Sequence, residues 1–138
     1  TIPLSRKLIT NIVKAGTEFT EAISQVLKVE KLTVQQFNVL RILRGRKGEP
    51  ASLQDVSRDM LHSNSNTTRV VDKLVVKKYA ERIQCVDDRR QIELTITESG
   101  LALLSRLDEK VNAREQELVA NLTEQDMKML IETIHKLN

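Results

Sequence analysis

The chain has 138 residues, of which 40% are hydrophobic and 2% aromatic, and its formal net charge is +3. This length allows one sizeable core, so residues 1–138 are predicted to form a single domain with an aliphatic interior and little stacking surface for a ligand. The single cysteine, Cys85, excludes an intramolecular disulfide and a cysteine-rich zinc site, and no apolar run is long enough to span a membrane, so we expect a cytoplasmic protein without a signal peptide.

The charge is unevenly distributed along the chain. Residues 41–90 contain twelve basic and seven acidic side chains, whereas residues 91–138 contain five basic and nine acidic ones. A positive middle segment favours an anionic partner, although an ordinary solvated surface explains the same distribution equally well.

The amino-terminal part of the chain predicts two helices and the start of a third. Apolar residues recur at helical spacing through residues 4–29, which indicates one long amphipathic helix. Thr33 with Gln36 forms the sequence signature of a capping box at the start of a second helix. Ser52 with Asp55 repeats this signature before a short third helix.

The central segment predicts a helix-turn-helix. The polar stretch 62–66 consists of residues that favour turns and N-caps, so we expect a fourth helix over 64–78 with Ser63 as its N-cap. The residues expected to face inward on this helix are Thr67, Val71, Leu74 and Val75. Two helices separated by a tight polar turn form a helix-turn-helix.

The hydrophobic period changes from helical to alternating after Tyr79. This change predicts a two-stranded β-hairpin over 82–96, with Ile83 and Cys85 alternating inward on its first strand. The four charges of the sequence DDRR, at 87–90, lie at the bend of this hairpin. A hairpin in this position is a candidate wing beside the helix-turn-helix.

The carboxyl-terminal part returns to helical spacing. Thr97 is the expected N-cap of a long helix, and Thr123 with Asp126 opens a last one. Residues 1–29 and 98–138 carry more apolar surface than one core of this size needs, so both ends are predicted to be dimerisation helices. The alternative is that the two ends pack only on each other within one chain.

The order of the elements describes a mainly α fold. It is a winged helix-turn-helix with a two-stranded β-hairpin wing, in which a DNA-binding lobe at 33–97 is framed by N- and C-terminal dimerisation helices. This arrangement suits DNA, because a helix fits the major groove and a neighbouring hairpin can lean toward the minor groove.

Residues 63–100 carry a more specific pattern. It consists of a Thr-Arg pair in the fourth helix, a Leu five positions after that Arg, an Asp-x-Arg in the wing, and, with one change, a Leu-Thr-x-x-Gly before the next helix. The residues concerned are Thr68 and Arg69, Leu74, Asp88 and Arg90, and Ile96, Thr97 and Gly100. In this pattern the chain resembles the MarR (multiple antibiotic resistance regulator) family. The resemblance implies a homodimeric repressor that binds double-stranded DNA at a near-palindromic operator.

The resemblance also implies roles for individual residues. Arg90 is the expected probe of the minor groove, Asp88 would orient its guanidinium, and Arg89 would contact phosphate or nothing. The candidates for contacts to bases and phosphates in the recognition helix are Ser63, Asn64, Ser65, Asn66, Thr68, Arg69 and Lys73. The small polar residues are equally ordinary at a helix start, and the wing charges could simply solvate the tip.

Two features depart from the family pattern. Tyr79 stands where the family commonly has a glycine closing the recognition helix, so the turn into the wing must place Tyr79 at positive φ or take another geometry. Oxidation-sensing members have a reactive cysteine near the start of the chain, where this sequence has none. Cys85 is interpreted as a small packed hydrophobic residue and not as a sensor.

Other classes of function find less support in the sequence. His62 and His135 lie on different predicted elements without a carboxylate at metal-ligand spacing, so we expect no metal, no cofactor and no enzymatic activity. The main alternative is a winged helix that docks an acidic protein partner. Members of the family often respond to a small-molecule effector bound between the dimerisation helices and the lobe. With so few aromatic residues, this chain is expected to take an aliphatic effector or none.

Overall fold

The structure is a computed structural model that describes residues 1–61, 66–84, 87–88 and 91–137. Its described part contains six α-helices, three strands and two short 3₁₀ turns. The helices and strands are, in chain order, α1 (Leu4–Leu27), α2 (Val34–Gly45), β1 (Ala51–Ser52), α3 (Leu53–Asp59), α4 (Thr67–Val76), β2 (Ala80–Gln84), β3 (Ile92–Ile96), α5 (Glu98–Leu118) and α6 (Glu124–Ile134). Within these residues, no helix combines the length and hydropathy needed to cross a membrane.

The predicted capping boxes are present and fix the starts of three helices. In each box a hydroxyl accepts a hydrogen bond of 3.0 Å from the backbone N–H three residues later, and the side chain of that later residue accepts one in return. The pairs are Thr33 with Gln36, Ser52 with Asp55, and Thr123 with Asp126. Each box satisfies two backbone groups that a helix start leaves without an intrahelical partner.

The start of α4 differs from the prediction. The helix begins at Thr67, and Asn66 is its N-cap, with its side-chain oxygen accepting from the backbone N–H of Arg69 at 3.2 Å. The prediction of Ser63 as the N-cap is therefore wrong. Asn and Ser are equally good N-caps, so a run of such residues does not indicate which one opens the helix. The inward stripe was predicted correctly, since Thr67, Val71 and Leu74 are buried and Val75 is half-buried.

The sheet contains the predicted hairpin and one strand more. Strands β2 and β3 pair antiparallel from Ala80 with Ile96 to Gln84 with Ile92, and β1 pairs with the other edge of β3. The winged helix-turn-helix prediction is confirmed, but the sheet has three strands in the order β1-β3-β2 instead of two. A strand of only two residues is too short to show an alternating pattern in the sequence.

On β2, the side chains that lie on the buried face of the hairpin are not the ones predicted. Arg82 pairs with Leu94, which is only 1% exposed, so these two residues share the buried face of the sheet. Ile83 pairs with Glu93 on the opposite face and is 42% exposed. The expectation that Ile83 points inward is therefore wrong. Cys85, expected to follow the same alternation, lies outside the described residues.

A single aliphatic core joins the lobe to parts of the end helices. Its members come from α1, α2, α3, α4, the sheet and α5, and its fully buried leucines are Leu27, Leu40, Leu74, Leu94, Leu103, Leu104 and Leu107. Helix α6 contributes no buried residue. The first half of α1 is likewise exposed. The core thus accounts for the lobe, the second half of α1 and α5 as far as Val111.

Two ion pairs attach α5 to the helices beneath it. Arg44 of α2 donates from one guanidinium nitrogen to both carboxylate oxygens of Asp108 at 3.0 and 3.2 Å. Arg106 bonds both oxygens of Glu30 at 3.1 and 3.2 Å, just after α1. The hydrogen bond from Arg106 holds the pKa of Glu30 below its ordinary value, and Glu30 in turn raises the pKa of Arg106. These contacts orient α5, although exposed pairs add little free energy.

The turn from α4 into the wing is made at Lys78. Its φ of +68° is left-handed, and the backbone N–H groups of Lys78 and Tyr79 donate to the carbonyls of Val75 and Leu74, each at 3.0 Å. This arrangement is a Schellman motif, which normally has glycine at the left-handed position. The turn therefore takes the alternative geometry, with Lys78 and not Tyr79 at positive φ.

The same turn is joined directly to the start of α5. The Thr97 hydroxyl donates to the carbonyl of Lys78 at 2.7 Å and accepts from the backbone N–H of Gly100 at 3.1 Å. The backbone N–H of Thr97 donates to the carbonyl of Tyr79 at 3.1 Å. A Cβ at position 100 would lie 2.4 Å from that carbonyl oxygen, so only glycine fits there. The Ile-Thr-x-x-Gly sequence thus forms a joint between α4, the wing and α5.

Candidate nucleic-acid interface

The exposed face of α4 gathers those predicted contact residues of the recognition helix that the structure describes. Because α4 buries the opposite stripe in the core, helical spacing turns this face toward solvent. The exposed residues on α4 and at its N-cap are Asn66, Thr68, Arg69, Asp72, Lys73 and Val76. The predicted candidates Asn66, Thr68, Arg69 and Lys73 are therefore presented together, whereas Ser63, Asn64 and Ser65 lie outside the described residues.

Two cations on this face are available to a ligand. Within the part of the chain that the structure describes, the side chains of Arg69 and Lys73 make no ion pair. Both line a groove of about 400 Å³ that also reaches Thr33 and Gln35 at the start of α2. Free guanidinium and ammonium groups of this kind are what contacts to a phosphate backbone require.

The single carboxylate of α4 is already engaged. Asp72 forms an ion pair with Arg82, which projects from β2 on the same side of the hairpin as the buried Leu94. Nothing in the sequence pattern indicates this contact, because the two residues belong to different elements and the pairing depends on the register of the wing.

Other cations near the helix-turn-helix have partners within the chain. Arg46 and Arg58 both pair with Asp55, at 3.2 and 3.4 Å, and Arg58 also reaches Asp59 at 3.4 Å. Hydrogen bonds from Ser52, aided by the two arginines, hold the pKa of Asp55 below its ordinary value. These groups brace α3, so they are less available than Arg69 and Lys73 to an incoming anion.

Lys77 has a structural contact that the sequence did not indicate. Its ammonium donates to the carbonyl of Lys31 at 3.0 Å and approaches the side-chain oxygen of Gln36 at 3.4 Å. Lys31 has a left-handed φ of 54° and ends the turn after α1. The end of α4 is therefore tied to the connection between α1 and α2.

The tip of the wing is described only in part. The carbonyl of Asp88 accepts a hydrogen bond of 3.0 Å from the backbone N–H of Gln91. Arg89 and Arg90, the predicted phosphate contact and minor-groove probe, lie outside the described residues. Their roles, and that of Asp88, stay predictions.

The helices at the two ends present apolar side chains to solvent. On the first half of α1 and on α6 with the turn after it, the exposed residues include Leu4, Leu8, Ile9, Ile12, Met129, Leu130, Ile131, Ile134 and Leu137. An exposed apolar surface distributed over two helices is typical of a protein-protein interface.

A small cavity lies where α1, α2 and α5 meet. It measures about 170 Å³, and its lining includes Phe19, Ile23, Phe37, Arg41 and Val111. The guanidinium of Arg41 sits 5.2 Å from the centre of the Phe37 ring, in cation-π contact. Among the described residues, no cluster of three or more His, Cys, Asp or Glu side chains could hold a metal ion.

The chain is similar in sequence to known transcriptional regulators. A model described as MarR family matches residues 31–91, from the start of α2 to the wing. The HTH-type transcriptional regulator YpoP of Bacillus subtilis, itself uncharacterized, is 31% identical over 125 residues, which is 91% of this chain and 86% of YpoP. The HTH-type transcriptional regulator PecS of Dickeya dadantii is 26% identical over 76% of this chain, and the match spans 64% of PecS.

A solved structure matches the fold over almost its full length. A mutant MarR from E. coli in complex with operator DNA has a TM-score of 0.86 and 23% identity, and the match covers 99% of both chains. The order of elements, the winged helix-turn-helix and the relationship to YpoP all agree with the family model. The chain belongs to the MarR family of DNA-binding transcription regulators.

Proposed function

We propose that the chain is a dimeric repressor that binds a near-palindromic operator, with α4 in the major groove and the wing in the minor groove. The observation that carries the proposal is the exposed face of α4, where Arg69 and Lys73 are unpaired among the described residues and Thr68 stands beside them. Arginine can read guanine through two hydrogen bonds, threonine can contact the thymine methyl group, and lysine suits a phosphate.

The wing is the second proposed contact. Arg90 enters a narrow minor groove, Asp88 orients its guanidinium, and Arg89 touches phosphate. Ser63, Asn64, Ser65 and Asn66 contribute base or phosphate contacts ahead of α4. Support comes from the Asp-x-Arg sequence and from the likeness of the fold to a MarR protein that binds operator DNA.

A homodimer supplies the two recognition helices that a near-palindrome requires. Residues 1–29 and 98–138 form the dimerisation region around the DNA-binding lobe at 33–97. The support is that α6 buries no residue in its own chain and that α1 exposes an apolar first half. Two copies of α4 about one DNA turn apart then enter successive major grooves.

The proposed regulation is by a small molecule bound within the protein. The cavity between α1, α2 and α5 is lined mostly by apolar side chains, together with one cation, Arg41, and one carboxylate, Glu115. It suits a small, largely apolar effector. A cytoplasmic location and the lack of enzymatic activity are proposed with the regulatory function, since the family consists of transcription regulators.

The proposal is tested by selecting bound duplexes from a random pool. A dimer should select a near-palindrome with half-sites about one helical turn apart. With the selected duplex, Arg69→Ala should weaken binding by about 1 to 3 kcal/mol and relax the preference at one position. Lys73→Ala should weaken binding to all sequences and lower the slope of log affinity against log salt by about 1. Lys110→Ala, on α5 away from this face, is the matched control.

Absence of duplex binding at low salt would reject the DNA-binding proposal. Selection of a single half-site, or a monomer in sedimentation at micromolar concentration, would reject the dimeric mode of reading. Arg90→Ala tests the wing separately, because its loss should be largest where the flanks are A·T-rich.

The alternative is a winged helix that docks an acidic protein partner through the same basic face. It predicts capture of an acidic protein without selection of any duplex. The exposed α4 face fits both partners electrostatically, but the match to an operator-bound fold favours DNA.

A further inference from the structure

We propose that Arg82 is a positioning residue whose guanidinium neutralises Asp72 and holds the wing strand β2 against α4. Asp72 lies on the exposed face of α4, which is called the reading face below. In this role Arg82 does not itself bind DNA. The inference rests on the proposed DNA-binding function and adds to it a residue that sets the charge of the reading face.

Asp72 places a negative charge on the surface proposed to meet DNA. It is the one acidic residue in the sequence of α4, and it is exposed beside Thr68 on the side that faces the wing, whereas Arg69 and Lys73 line the groove toward α2. An uncompensated carboxylate there would repel phosphate and cancel part of the attraction due to the two cations. A positive partner removes this repulsion without removing the carboxylate.

Arg82 is placed to be that partner by the register of the sheet. Its pairing with Leu94 turns it toward the helices and not toward the outer face, where Glu81, Ile83 and Glu93 lie. The ion pair with Asp72 crosses a groove of about 330 Å³ between α4 and the hairpin, whose apolar lining includes Val71, Ile92 and Leu94. The pair therefore bridges the wing and the recognition helix across a gap that is not filled by side-chain packing.

The exposure of the pair defines what it can contribute. The side chains are 43% and 50% exposed for Arg82 and Asp72. An ion pair this accessible to water adds little to folding stability. Its effect must therefore appear in the charge of the reading face and in the placement of β2, and these two effects can be measured separately.

The experiment compares Asp72→Asn, Arg82→Gln, the double variant and wild type. Affinity is measured as a function of salt for the selected operator and for a scrambled duplex of the same length. Asp72→Asn releases Arg82, so binding to scrambled duplex should tighten about 3- to 10-fold, with a salt slope steeper by about 1. The preference for operator should fall accordingly.

Arg82→Gln should have the opposite effect. It leaves Asp72 uncompensated, so both duplexes should bind about 10-fold more weakly at low salt, and this loss should shrink as added salt screens the carboxylate. The double variant should recover most of that loss, because the carboxylate is gone. If Arg82 instead contacts phosphate directly, the double variant stays as weak as Arg82→Gln, because the lost contact is not replaced. That result overturns the proposal.

A second measurement needs no DNA. Amide hydrogen exchange of β2 in the free protein should accelerate in both single variants, and the exchanged pair Asp72→Arg with Arg82→Asp should restore protection. Arg106→Gln, which removes an exposed ion pair elsewhere, is the matched control and should leave β2 unchanged. Unaltered exchange of β2 in all variants overturns the positioning role. If wild type binds no duplex, the proposed function fails, while the exchange data still decide whether the pair holds the wing.

Discussion

The proposed DNA-binding lobe at 33–97 and the end helices use their apolar residues in different ways. In the lobe, leucines such as Leu40, Leu74 and Leu94 are fully buried within one chain. In α6, Leu130, Ile134 and their neighbours remain exposed, and no residue is buried. Both regions have amphipathic patterns, so the difference lies in where the partner surface is found. The lobe contains its own partner surface, whereas we propose that a second copy supplies the one for α6.

The largest effects should come from replacing a leucine by alanine, once in the lobe and once in α6. Leu74→Ala should lower the free energy of unfolding by about 3 kcal/mol, because it removes a fully buried side chain and leaves a cavity. Leu130→Ala, at a side chain 49% exposed in the single chain, should act through association instead. Urea unfolding at several protein concentrations separates the two.

The two variants should respond differently to dilution. The loss in Leu74→Ala should be the same at every protein concentration, whereas that in Leu130→Ala should grow as the dimer dissociates. Sedimentation equilibrium should show the dimer of Leu130→Ala weakened by about 10-fold or more, since a symmetric interface loses the contact twice. Equal, concentration-independent losses would mean that α6 is packed within its own chain.

A smaller effect is expected at the joint between the regions. Gly100→Ala should destabilise the protein by about 2 kcal/mol, because its Cβ would stand 2.4 Å from the carbonyl oxygen of Tyr79 and the joint must open. Gly16→Ala is the matched control, since a Cβ added at this position on α1 would meet no atom within 4 Å. It should stabilise α1 by up to about 1 kcal/mol through helix propensity. Thermal unfolding measures both, and similar destabilisation by the two would contradict the close contact.

The smallest effect should be a gain within the lobe. Lys78→Gly should stabilise the protein by about 1 kcal/mol, because Lys78 holds a left-handed φ of +68° that glycine adopts without steric cost. Chemical unfolding should show this gain at all protein concentrations. A loss would indicate that the greater freedom of glycine in the unfolded chain outweighs the relief of strain.

Local signals allowed most of the fold to be predicted from the sequence. The capping boxes at Thr33, Ser52 and Thr123 depend on residues three positions apart, and the buried stripe of α4 depends on helical spacing. The order of these elements then indicated the winged helix-turn-helix. Asn66, Thr68, Arg69 and Lys73 could be proposed as one surface because a single helix carries them.

The features that the sequence did not reveal depend on non-local pairing. Strand β1 exists because Ala51 meets Leu94, and Arg82 reaches Asp72 because of the register of the hairpin. Lys77 bonds a carbonyl 46 positions away. The hydrophobic periodicity of the sequence does not indicate such contacts. The N-cap of α4 was misplaced for a different reason, since several residues in the polar stretch have the same capping chemistry.

The joint at Thr97 and Gly100 couples a rotation of α5 to a movement of α4. With its 21 residues, α5 is about 31 Å long at 1.5 Å per residue. If α5 rotates by about 5° about its carboxyl-terminal end, its amino-terminal end at the joint, and α4 with it, moves by about 3 Å. That is close to the rise of about 3.4 Å between successive base pairs. In the proposed dimer, the angle between the two α5 helices would therefore set the spacing of the two α4 helices on the duplex.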